Sequence, residues 1–279
     1  MIVVTGASGH LGRLVIEELK KRVPAERIVA AARTPEKAAD LGVEVREADY
    51  DRPETLKGAL GDATRVLLIS GLDANRAQQH AAVVDAAKEA GAVLAYTSAP
   101  NADLTEAALA ADHKATEAYI KASGVAYTLL RNNWYHENYE QSITIAPQLG
   151  AVYGAAGDGR IAAASRADYA AGAAAVLAGE GHEGKVYELS GDTAWTLAEL
   201  AAEISAVTGK EITYQDLPKD DYAGVLAGAG VPAPMAGVLA DVDVQISHGW
   251  LAQTPGTLRE LIGRPTQPIG EYVRTLLGR

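Results

Sequence analysis

The chain has 279 residues, of which 48% are hydrophobic and 22% charged, a balance typical of a globular protein rather than a disordered one. Its 36 acidic and 25 basic residues give a net charge of −11, which repels nucleic acid and leaves room only for a local basic pocket for one small anion. The absence of cysteine excludes disulfides, thiolate nucleophiles and cysteine-ligated metals.

The first residues form a short apolar strand, and no signal peptide precedes it. No apolar run in the chain approaches the ~20 residues that a membrane helix needs. We therefore expect a cytoplasmic protein that makes no contact with a membrane.

The first half of the chain alternates short apolar runs with segments of helical periodicity. The predicted strands are residues 1–5, 27–32, 43–48, 65–70, 93–98 and 127–131. The predicted helices are residues 11–21, 35–41, 53–60, 78–90 and 107–123. Unbroken apolar strands are buried on both faces, which is typical of a parallel sheet covered by helices. With right-handed crossovers, the six units predict a doubly wound α/β sheet of Rossmann or flavodoxin type.

The pattern loosens after residue 134, where a glycine-rich stretch over 150–159 predicts a loop or hairpin. Further predicted elements are an alanine-rich helix over 166–179, strands over 185–190 and 212–215, and a helix over 196–208. The last helix is supported by Thr196 and Glu199, which have the spacing of a capping box. Prolines predict short helices and turns over the carboxyl edge of the sheet at Pro232, Pro234, Pro255, Pro265 and Pro268.

Three glycines between the first strand and the first helix distinguish a Rossmann sheet from a flavodoxin-type sheet. Gly6 permits a tight turn, Gly9 lets a pyrophosphate approach the backbone, and Gly12 lets the helix pack close to the sheet. The freed amides and the helix dipole then bind phosphate. A turn without a ligand would not need three glycines at this spacing, so the pattern predicts a Rossmann dinucleotide site.

Arg33 closes the second strand, 21 residues after Gly12. Proteins selective for NAD usually carry an acid here, whereas an arginine accommodates the 2′-phosphate of NADP. Lys37, one helical turn further on, adds positive charge. We therefore expect NADPH to be preferred over NADH; the alternative is a surface arginine without a ligand.

The second wall of the cofactor site should follow the fourth strand, at Ser70, Gly71 and Leu72. Gly71 again permits close approach of the backbone, although a simple turn would also explain it. We expect two units: an NAD(P)-binding Rossmann domain of residues 1–132, and a segment of residues 133–279. The second completes the sheet and forms a smaller α/β subdomain that covers the substrate.

The proton relay of a short-chain dehydrogenase would need a serine after the fifth strand and Tyr-x-x-x-Lys on the next helix. Ser98 is present, but His113 and Glu117 occupy the positions of the tyrosine and lysine. One turn apart, they share a helix face. The alternative interpretations are that His113 is a helix residue with only a structural hydrogen bond, and that Glu117 is a solvated surface acid. Reduction of a quinone depends less on acid catalysis, because the hydroquinone anion that forms is far less basic than an alkoxide. Water, His113 or a nearby tyrosine then supplies the proton.

Polar and aromatic residues cluster directly after the sixth strand. Asn132 is placed to bond the nicotinamide or a substrate carbonyl, and Trp134 with Tyr135 to form a flat wall for an aromatic acceptor. The alternative is that these aromatic side chains only anchor the hydrophobic core. Asp168 favours a helix N-terminus and is either a cofactor contact or a first-turn acid. We expect no metal, because the six histidines are scattered.

Several stretches together resemble the bacterial type 2 NAD(P)H:quinone oxidoreductases, an NmrA-like, atypical group of short-chain dehydrogenases. The segments that carry the resemblance are residues 5–12, 95–98, 127–139, 154–159, 165–170 and 184–191. The resemblance implies direct hydride transfer from NADPH to a quinone, and the group shares His-x-x-x-Glu. Two features depart from it: residues 71–75 are one residue shorter than usual, and Asn133 replaces a common glycine and narrows the pocket.

The resemblance and the motifs together give the candidate site residues. The candidate catalytic residues are His113, Tyr135, Ser98 and Asn132. The candidate cofactor contacts are Gly6, Ala7, Ser8, Gly9, His10, Leu11, Arg33, Ser70, Gly71, Leu72, Asn132, Asn133, Trp134, Tyr135, His136, Glu137, Arg166, Asp168 and Tyr169. We expect a quinone or carbonyl substrate and a monomer or homodimer. Two other functions stay open: a broad carbonyl or imine reductase, and an NADP-binding redox sensor without turnover.

Overall fold

The computed structural model describes residues 1–278 and contains two parallel sheets. The nine strands are Ile2–Val4 (β1), Ile28–Ala32 (β2), Glu44–Glu47 (β3), Arg65–Leu68 (β4), Val93–Ser98 (β5), Tyr127–Asn132 (β6), Ala151–Gly154 (β7), Val186–Leu189 (β8) and Thr213–Asp216 (β9). The large sheet has the spatial order β3-β2-β1-β4-β5-β6-β8, and every pair in it is parallel. This confirms the prediction of a doubly wound sheet, whose order reverses direction between β1 and β4.

Eleven α-helices surround the sheets in residues 1–278. They are His10–Lys20 (α1), Pro53–Leu60 (α2), Arg76–Glu89 (α3), Ala111–Ser123 (α4), Glu140–Leu149 (α5), Arg166–Ala178 (α6), Leu197–Thr208 (α7), Lys219–Gly228 (α8), Ala233–Ser247 (α9), Thr257–Ile262 (α10) and Ile269–Leu276 (α11). Short 3-10 helices cover Ala25–Arg27, Pro35–Leu41, Ala108–Ala110 and His136–Tyr139. Each of these helices is too short or too polar to span a bilayer.

Both faces of the large sheet are buried under helices, as its unbroken apolar strands require. On one face, α1 packs against α6 through a core that contains Val15, Leu19 and Ala173. On the other face, α2, α3 and α4 bury residues such as Leu60 and Val83. The second half of the chain therefore contributes both a strand, β8, and a covering helix, α6, to the large sheet.

A third core lies between the small sheet and the helices of the second half. It unites Ile143 of α5, Leu200 of α7, Ile246 of α9 and Val273 of α11. Trp134, which follows β6, packs against this core and links it to the large sheet. The end of β6 is thus the place where the two halves of the chain meet.

Most predicted elements are confirmed within one or two residues, including the helix Leu197–Thr208 with its complete capping box. Of the loop or hairpin predicted over 150–159, the hairpin alternative is wrong, because β7 pairs in parallel with the distant β9; only residues 155–159 form a loop. Helix α5 was not predicted; Pro147 interrupts its sequence pattern, yet the helix continues to Leu149. Helix α9 is longer than the proline pattern suggested, since Pro234 lies in its first turn, where a proline is tolerated.

Candidate functional site

The turn between β1 and α1 is built from the three glycines of the predicted motif. Gly6 has a φ of 59°, a left-handed conformation that other residues rarely adopt. The amide of Gly9 donates to the carbonyl oxygen of Gly6 at 3.0 Å. A Cβ on Gly12 would overlap that carbonyl oxygen and lie 2.7 Å from the Cα of Ala7. The glycines thus allow the helix to start directly against the strand.

The N-terminus of α1 carries no side-chain cap and no acidic residue in its first turn. Helices α6 and α7, in contrast, are capped by Ser165 and Thr196. The first amides of a helix lack partners within the helix and carry partial positive charge, so this end is open to an anion. The predicted contact residues here comprise buried Ala7 and Leu11, half-buried Gly6 and Ser8, and exposed Gly9 and His10.

Arg33 follows β2, the neighbour of β1, and so lies at the same edge as the glycine turn. Its side chain is exposed and forms no ion pair with any residue in 1–278, and the same holds for Lys37. The nearby Arg13 differs, because Asp40 binds its guanidinium at 2.8 Å. Two cations without acidic partners, in a protein of strongly negative net charge, suit a second phosphate group.

The loop after β4, on the other side of β1, is held by buried polar groups. The amide of Gly71 donates to Nε2 of His80 at 3.1 Å, and the amide of Ser70 donates to Oγ1 of Thr97 at 2.9 Å. Burial, and then the charge of Arg76, lower the pKa of His80 to about 4, so its ring is neutral and its Nε2 accepts. Among the predicted residues of this loop, Ser70 and Gly71 are half-buried and Leu72 is exposed.

Sequence reasoning missed His80 as a positioning residue. The only available signal was a polar residue on the buried face of a helix, since His80 shares that face with Val83, Val84 and Ala87 of α3. Such a residue needs hydrogen-bond partners, and here one partner is the backbone of the predicted cofactor wall.

His113 is half-buried on α4, and its Nδ1 lies 2.8 Å from the hydroxyl of Tyr96. Burial, and then the charge of Arg76, lower the pKa of His113 to about 4. The neutral ring therefore shares one hydrogen bond with the tyrosine hydroxyl through Nδ1, in which either group can donate. At neutral pH His113 has one donor and one acceptor nitrogen, but it does not carry a positive charge.

A buried ion cluster occupies the region where a short-chain dehydrogenase would have its proton relay. The guanidinium of Arg131, which is 5% exposed, donates to both oxygens of Glu117 at 2.8 and 2.6 Å. Ser98 donates to the same carboxylate at 2.7 Å. Arg131 also pairs with Glu188 at 2.9 Å and with Asp103 at 2.8 Å. These five side chains, from β5, β6, β8, α4 and the loop after β5, form the cluster, and Lys121 joins it at 3.4 Å from Glu117.

The surface-acid interpretation of Glu117 is wrong, because the residue is 1% exposed. Burial by itself raises the pKa of Glu117, but hydrogen bonds from Arg131 and Ser98 outweigh it and keep that pKa below its usual range. His113 and Glu117 share a helix face as predicted, yet the structure directs them to different partners. The hydroxyl hydrogen of Ser98 is engaged in the hydrogen bond to Glu117, so its predicted catalytic role has no support in this geometry.

Asn132 and Tyr135 lie together at the carboxyl end of β6. Asn132 is buried, and its Nδ2 lies 3.5 Å from the hydroxyl of Tyr135, while its Oδ1 has no hydrogen-bond partner within residues 1–278. The rings of Tyr135 and Tyr169 pack edge to face with their centroids 5.2 Å apart, and the guanidinium of Arg166 lies 5.3 Å from the centroid of the Tyr135 ring. A buried carbonyl oxygen without a donor is uncommon and suits an amide NH2 from a bound molecule.

Other predicted contact residues use their side chains to fix this loop. Asn133 donates to the carbonyl of Leu251 at 3.2 Å, and Nε2 of His136 donates to the carbonyl of Gln267 at 2.9 Å. Asp168 accepts from Ser165 and Gln267, both at 2.9 Å, and pairs with Arg264. In the remaining contacts of this group, the backbone amide of Arg166 donates to the carboxylate of Glu137 at 2.9 Å, and the hydroxyl of Tyr169 donates to the carbonyl of Trp134 at 3.3 Å.

Comparisons with known proteins agree with this geometry. A family model described as NAD(P)H-binding matches residues 6–180. Quinone oxidoreductase 2 of Escherichia coli is 50% identical over 281 residues, which are 99% of this chain and 98% of that protein. The structure of an NADPH-dependent quinone oxidoreductase from Escherichia coli, complexed with NADPH, has a TM-score of 0.97 and 50% identity, and the match covers 99% of this chain and 100% of that one. Triphenylmethane reductase of Citrobacter sp., complexed with NADP(H), has a TM-score of 0.95 and 39% identity over 99% of this chain and 100% of its own.

The ion cluster makes a stability prediction. Arg131→Gln removes the bidentate partner of the buried carboxylate of Glu117 and leaves only Lys121, at 3.4 Å, as a cation, which should lower the free energy of unfolding by about 3–5 kcal/mol at neutral pH. The loss should shrink as the pH falls through the ordinary pKa of a glutamate, because protonation removes the poorly compensated charge. Urea denaturation at several pH values measures both effects. The control is Arg160→Gln, which removes an exposed ion pair with Glu199 and should cost less than about 1 kcal/mol. Equal losses in the two variants would contradict the prediction.

Proposed function

The chain belongs to the NAD(P)H-binding family and to the group within it that includes Quinone oxidoreductase 2, and on this premise we propose that it reduces quinones with NADPH. One observation carries the choice of acceptor: the carboxylate of Glu117 is bound by the buried guanidinium of Arg131 and also accepts the hydrogen bond of Ser98. An acceptor whose reduced form is a strong base would need a proton relay that this cluster does not provide. A quinone does not need it, because a hydroquinone anion is weakly basic.

The phosphate groups of the cofactor are bound at the edge formed by β1 and β2. The amides at the start of α1 bind the pyrophosphate, and Gly6 and Gly12 allow its close approach. Arg33 binds the 2′-phosphate, supported by Lys37. The backbone at Ser70–Leu72, held by His80, forms the second wall. When bound, NADPH supplies the hydride that is transferred.

The nicotinamide end of the cofactor lies at the carboxyl end of β6. Asn132 accepts from the carboxamide NH2 through its unpartnered Oδ1, and Tyr135 with Arg166 lines the same position. The side chains of Asn133, His136 and Asp168 hold the loop in place. These residues therefore act on the cofactor by positioning the loop or through their backbone atoms. The other proposed contacts in this segment are Trp134, Glu137 and Tyr169.

The acceptor occupies the space next to Trp134, where the two halves of the chain meet. Trp134, Trp250 and Leu109 are all half-buried and pack against the third core. These side chains give an aromatic acceptor an apolar surface. We therefore propose that residues 1–132 form the Rossmann domain that binds the phosphate groups of the cofactor, and that residues 133–279 complete the sheet, line the nicotinamide position and cover the substrate. We also propose that the protein is cytoplasmic, that it is a monomer or a homodimer, and that it does not bind nucleic acid.

A second candidate substrate is a cationic triarylmethane dye. The 39% identity to a triphenylmethane reductase favours it, and such a cation accepts hydride at carbon without any proton. The net charge of −11 also attracts cations to the protein. A carbonyl or imine reductase is less well supported, because its strongly basic product would need a proton, and the hydroxyl of Ser98 donates its hydrogen bond to Glu117 instead.

Oxidation of NADPH in the presence of a small benzoquinone tests the proposed activity. We expect turnover well above the uncatalysed rate, and none above background with aryl ketones under the same conditions. An absence of turnover with the benzoquinone would overturn the proposal. Equally tight binding of NADP+ and NADPH without turnover would indicate a redox sensor instead.

The low pKa of His113 predicts a particular pH dependence. A histidine with a pKa of about 4 is neutral throughout pH 5.5–8, so it cannot lose a catalytic proton in that range. His113→Gln should therefore lower kcat/KM for the benzoquinone by roughly tenfold or less, and by the same factor at each pH. The measurement is the ratio of the two pH profiles. A wild-type advantage that disappears as the pH rises through 6–7 would show that a protonated His113 acts as the acid.

The role of Arg33 is tested by charge reversal. Arg33→Glu replaces attraction with repulsion at the 2′-phosphate, so KM for NADPH should rise roughly a hundredfold while KM for NADH changes little. Steady-state kinetics with both cofactors measures the ratio. Arg27→Glu, an exposed charge reversal next to the other end of β2, is the matched control and should leave the preference unchanged. An unaltered preference in Arg33→Glu would refute the assigned site.

A further inference from the structure

A chain of hydrogen bonds runs through the interior from the loop after β4 to His113 on α4. It begins at the amide of Gly71, which donates to Nε2 of His80 at 3.1 Å. Nδ1 of His80 lies 2.9 Å from Oγ1 of Thr116 and 3.5 Å from the hydroxyl of Tyr96. That hydroxyl lies 2.8 Å from Nδ1 of His113. His80, Tyr96 and Thr116 are buried, so the direction of each bond follows from the donors and acceptors in the chain itself.

The first bond fixes the proton of His80. A backbone amide can only donate, so Nε2 of His80 is an acceptor. Because the ring is neutral, its one proton is on Nδ1. From Nδ1 it is donated to the hydroxyl of Thr116, which itself donates to the carbonyl of Asp112 at 2.8 Å. Nδ1 of His80 therefore cannot accept a hydrogen bond from Tyr96.

The hydroxyl hydrogen of Tyr96 then has one open acceptor within residues 1–278. Nδ1 of His80 already carries a hydrogen, and the nearby hydroxyl of Thr116 already accepts from His80 and donates to a carbonyl of its own helix. The remaining acceptor is Nδ1 of His113. Although the pair of Tyr96 and His113 taken alone allows either direction, the whole chain makes the tyrosine the donor. The proton of the neutral His113 ring is therefore on Nε2.

Nε2 of His113 remains open to a ligand. The residue is half-buried, and its Nε2 is neither hydrogen-bonded nor fully buried within residues 1–278. His113 lies in the first turn of α4, the helix that connects the parallel strands β5 and β6. The start of such a helix lies at the carboxyl edge of the sheet, where Gly71 and Asn132 also lie. This is the edge at which we place hydride transfer.

On the premise of the proposed quinone reduction, we propose that Tyr96 is a positioning residue that holds His113 so that its Nε2 hydrogen bonds to the quinone oxygen. This hydrogen bond stabilises the negative charge that grows on the oxygen as the hydride arrives from NADPH. His113 keeps its hydrogen, because a neutral ring that lost it would become an imidazolate. The proton that completes the hydroquinone comes from water. Since the chain starts at Gly71, the same buried bonds hold the cofactor wall and the donor to the acceptor.

NMR of the protein with ¹⁵N-labelled histidine measures the positions of both protons, because protonated and bare imidazole nitrogens differ strongly in ¹⁵N chemical shift. Single substitutions of histidine by glutamine assign the signals. At neutral pH we expect the proton of His80 on Nδ1 and that of His113 on Nε2. In Tyr96→Phe, we expect His80 to be unchanged and His113 to become a mixture of both tautomers. A wild-type proton on Nδ1 of His113, or on Nε2 of His80, would overturn the proposal.

The kinetic test is a double-mutant cycle. Tyr96→Phe removes the hydroxyl and keeps the ring, and it should lower kcat/KM for the benzoquinone by roughly threefold while KM for NADPH stays unchanged. In the background of His113→Gln, the same substitution should cause no further loss, because Tyr96 acts only through His113. A tyrosine with a purely structural role would lower the activity of both backgrounds by the same factor, and that result would overturn the proposal.

Tyr187→Phe is the matched control. It removes a hydroxyl that also lies 2.8 Å from Nδ1 of a histidine, His182, but the pair lies outside the proposed site. Its kinetics should equal those of the wild type. Thermal unfolding and NADPH binding show whether Tyr96→Phe is folded, and if it is not, the wild-type tautomers decide.

The failure of this proposal can be distinguished from the failure of the proposed function. If the wild type does not reduce the benzoquinone, the proposed function is refuted, and the NMR result still shows whether Tyr96 fixes the ring of His113. If Tyr96→Phe reduces the benzoquinone as fast as the wild type, the role of Tyr96 is refuted while quinone reduction stands.

Discussion

The buried guanidinium of Arg131 is the constraint on which the candidate site depends. It gathers carboxylates from three separate parts of the chain: Glu117 on α4, Glu188 on β8 and Asp103 in the loop after β5. A buried charge is tolerated only when it is well paired, so these elements must stay together. The same cluster binds Ser98 and so occupies the groups that would otherwise form a proton relay. One interaction thus positions the strand ends and restricts the chemistry that can occur there.

The two ends of the site differ in electrostatic character, and each suits its proposed ligand group. At the glycine turn, the uncapped start of α1 and Arg33, which has no ion pair within residues 1–278, create a local positive region in an acidic protein. At the proposed acceptor end, burial keeps His80 and His113 neutral, and the nearby aromatic surface carries no charge. In the proposed complex, charge therefore holds the phosphates, while apolar contact and hydrogen bonds hold the acceptor.

The distant C-terminal segment supports the loop that carries Tyr135. Asn133 is bound to Leu251, His136 to Gln267, and Asp168 to Gln267 and Arg264. These contacts explain why polar residues directly after β6 are buried although they do not belong to the regular core. Their number suggests that the geometry near the nicotinamide depends on the folding of both halves of the chain together.

Local patterns were enough to predict the alternating strands and helices, the glycine turn, Arg33 at the end of β2, and the capping box at Thr196. Each of these follows from hydrophobic period, backbone sterics or a short-range hydrogen bond, all of which are present in neighbouring residues. The burial of Glu117, the role of His80 and the parallel pairing of β7 with β9 follow only from the tertiary structure. Their partners lie far away in the chain, and no local pattern states which distant residue will meet a carboxylate, an imidazole or a strand edge.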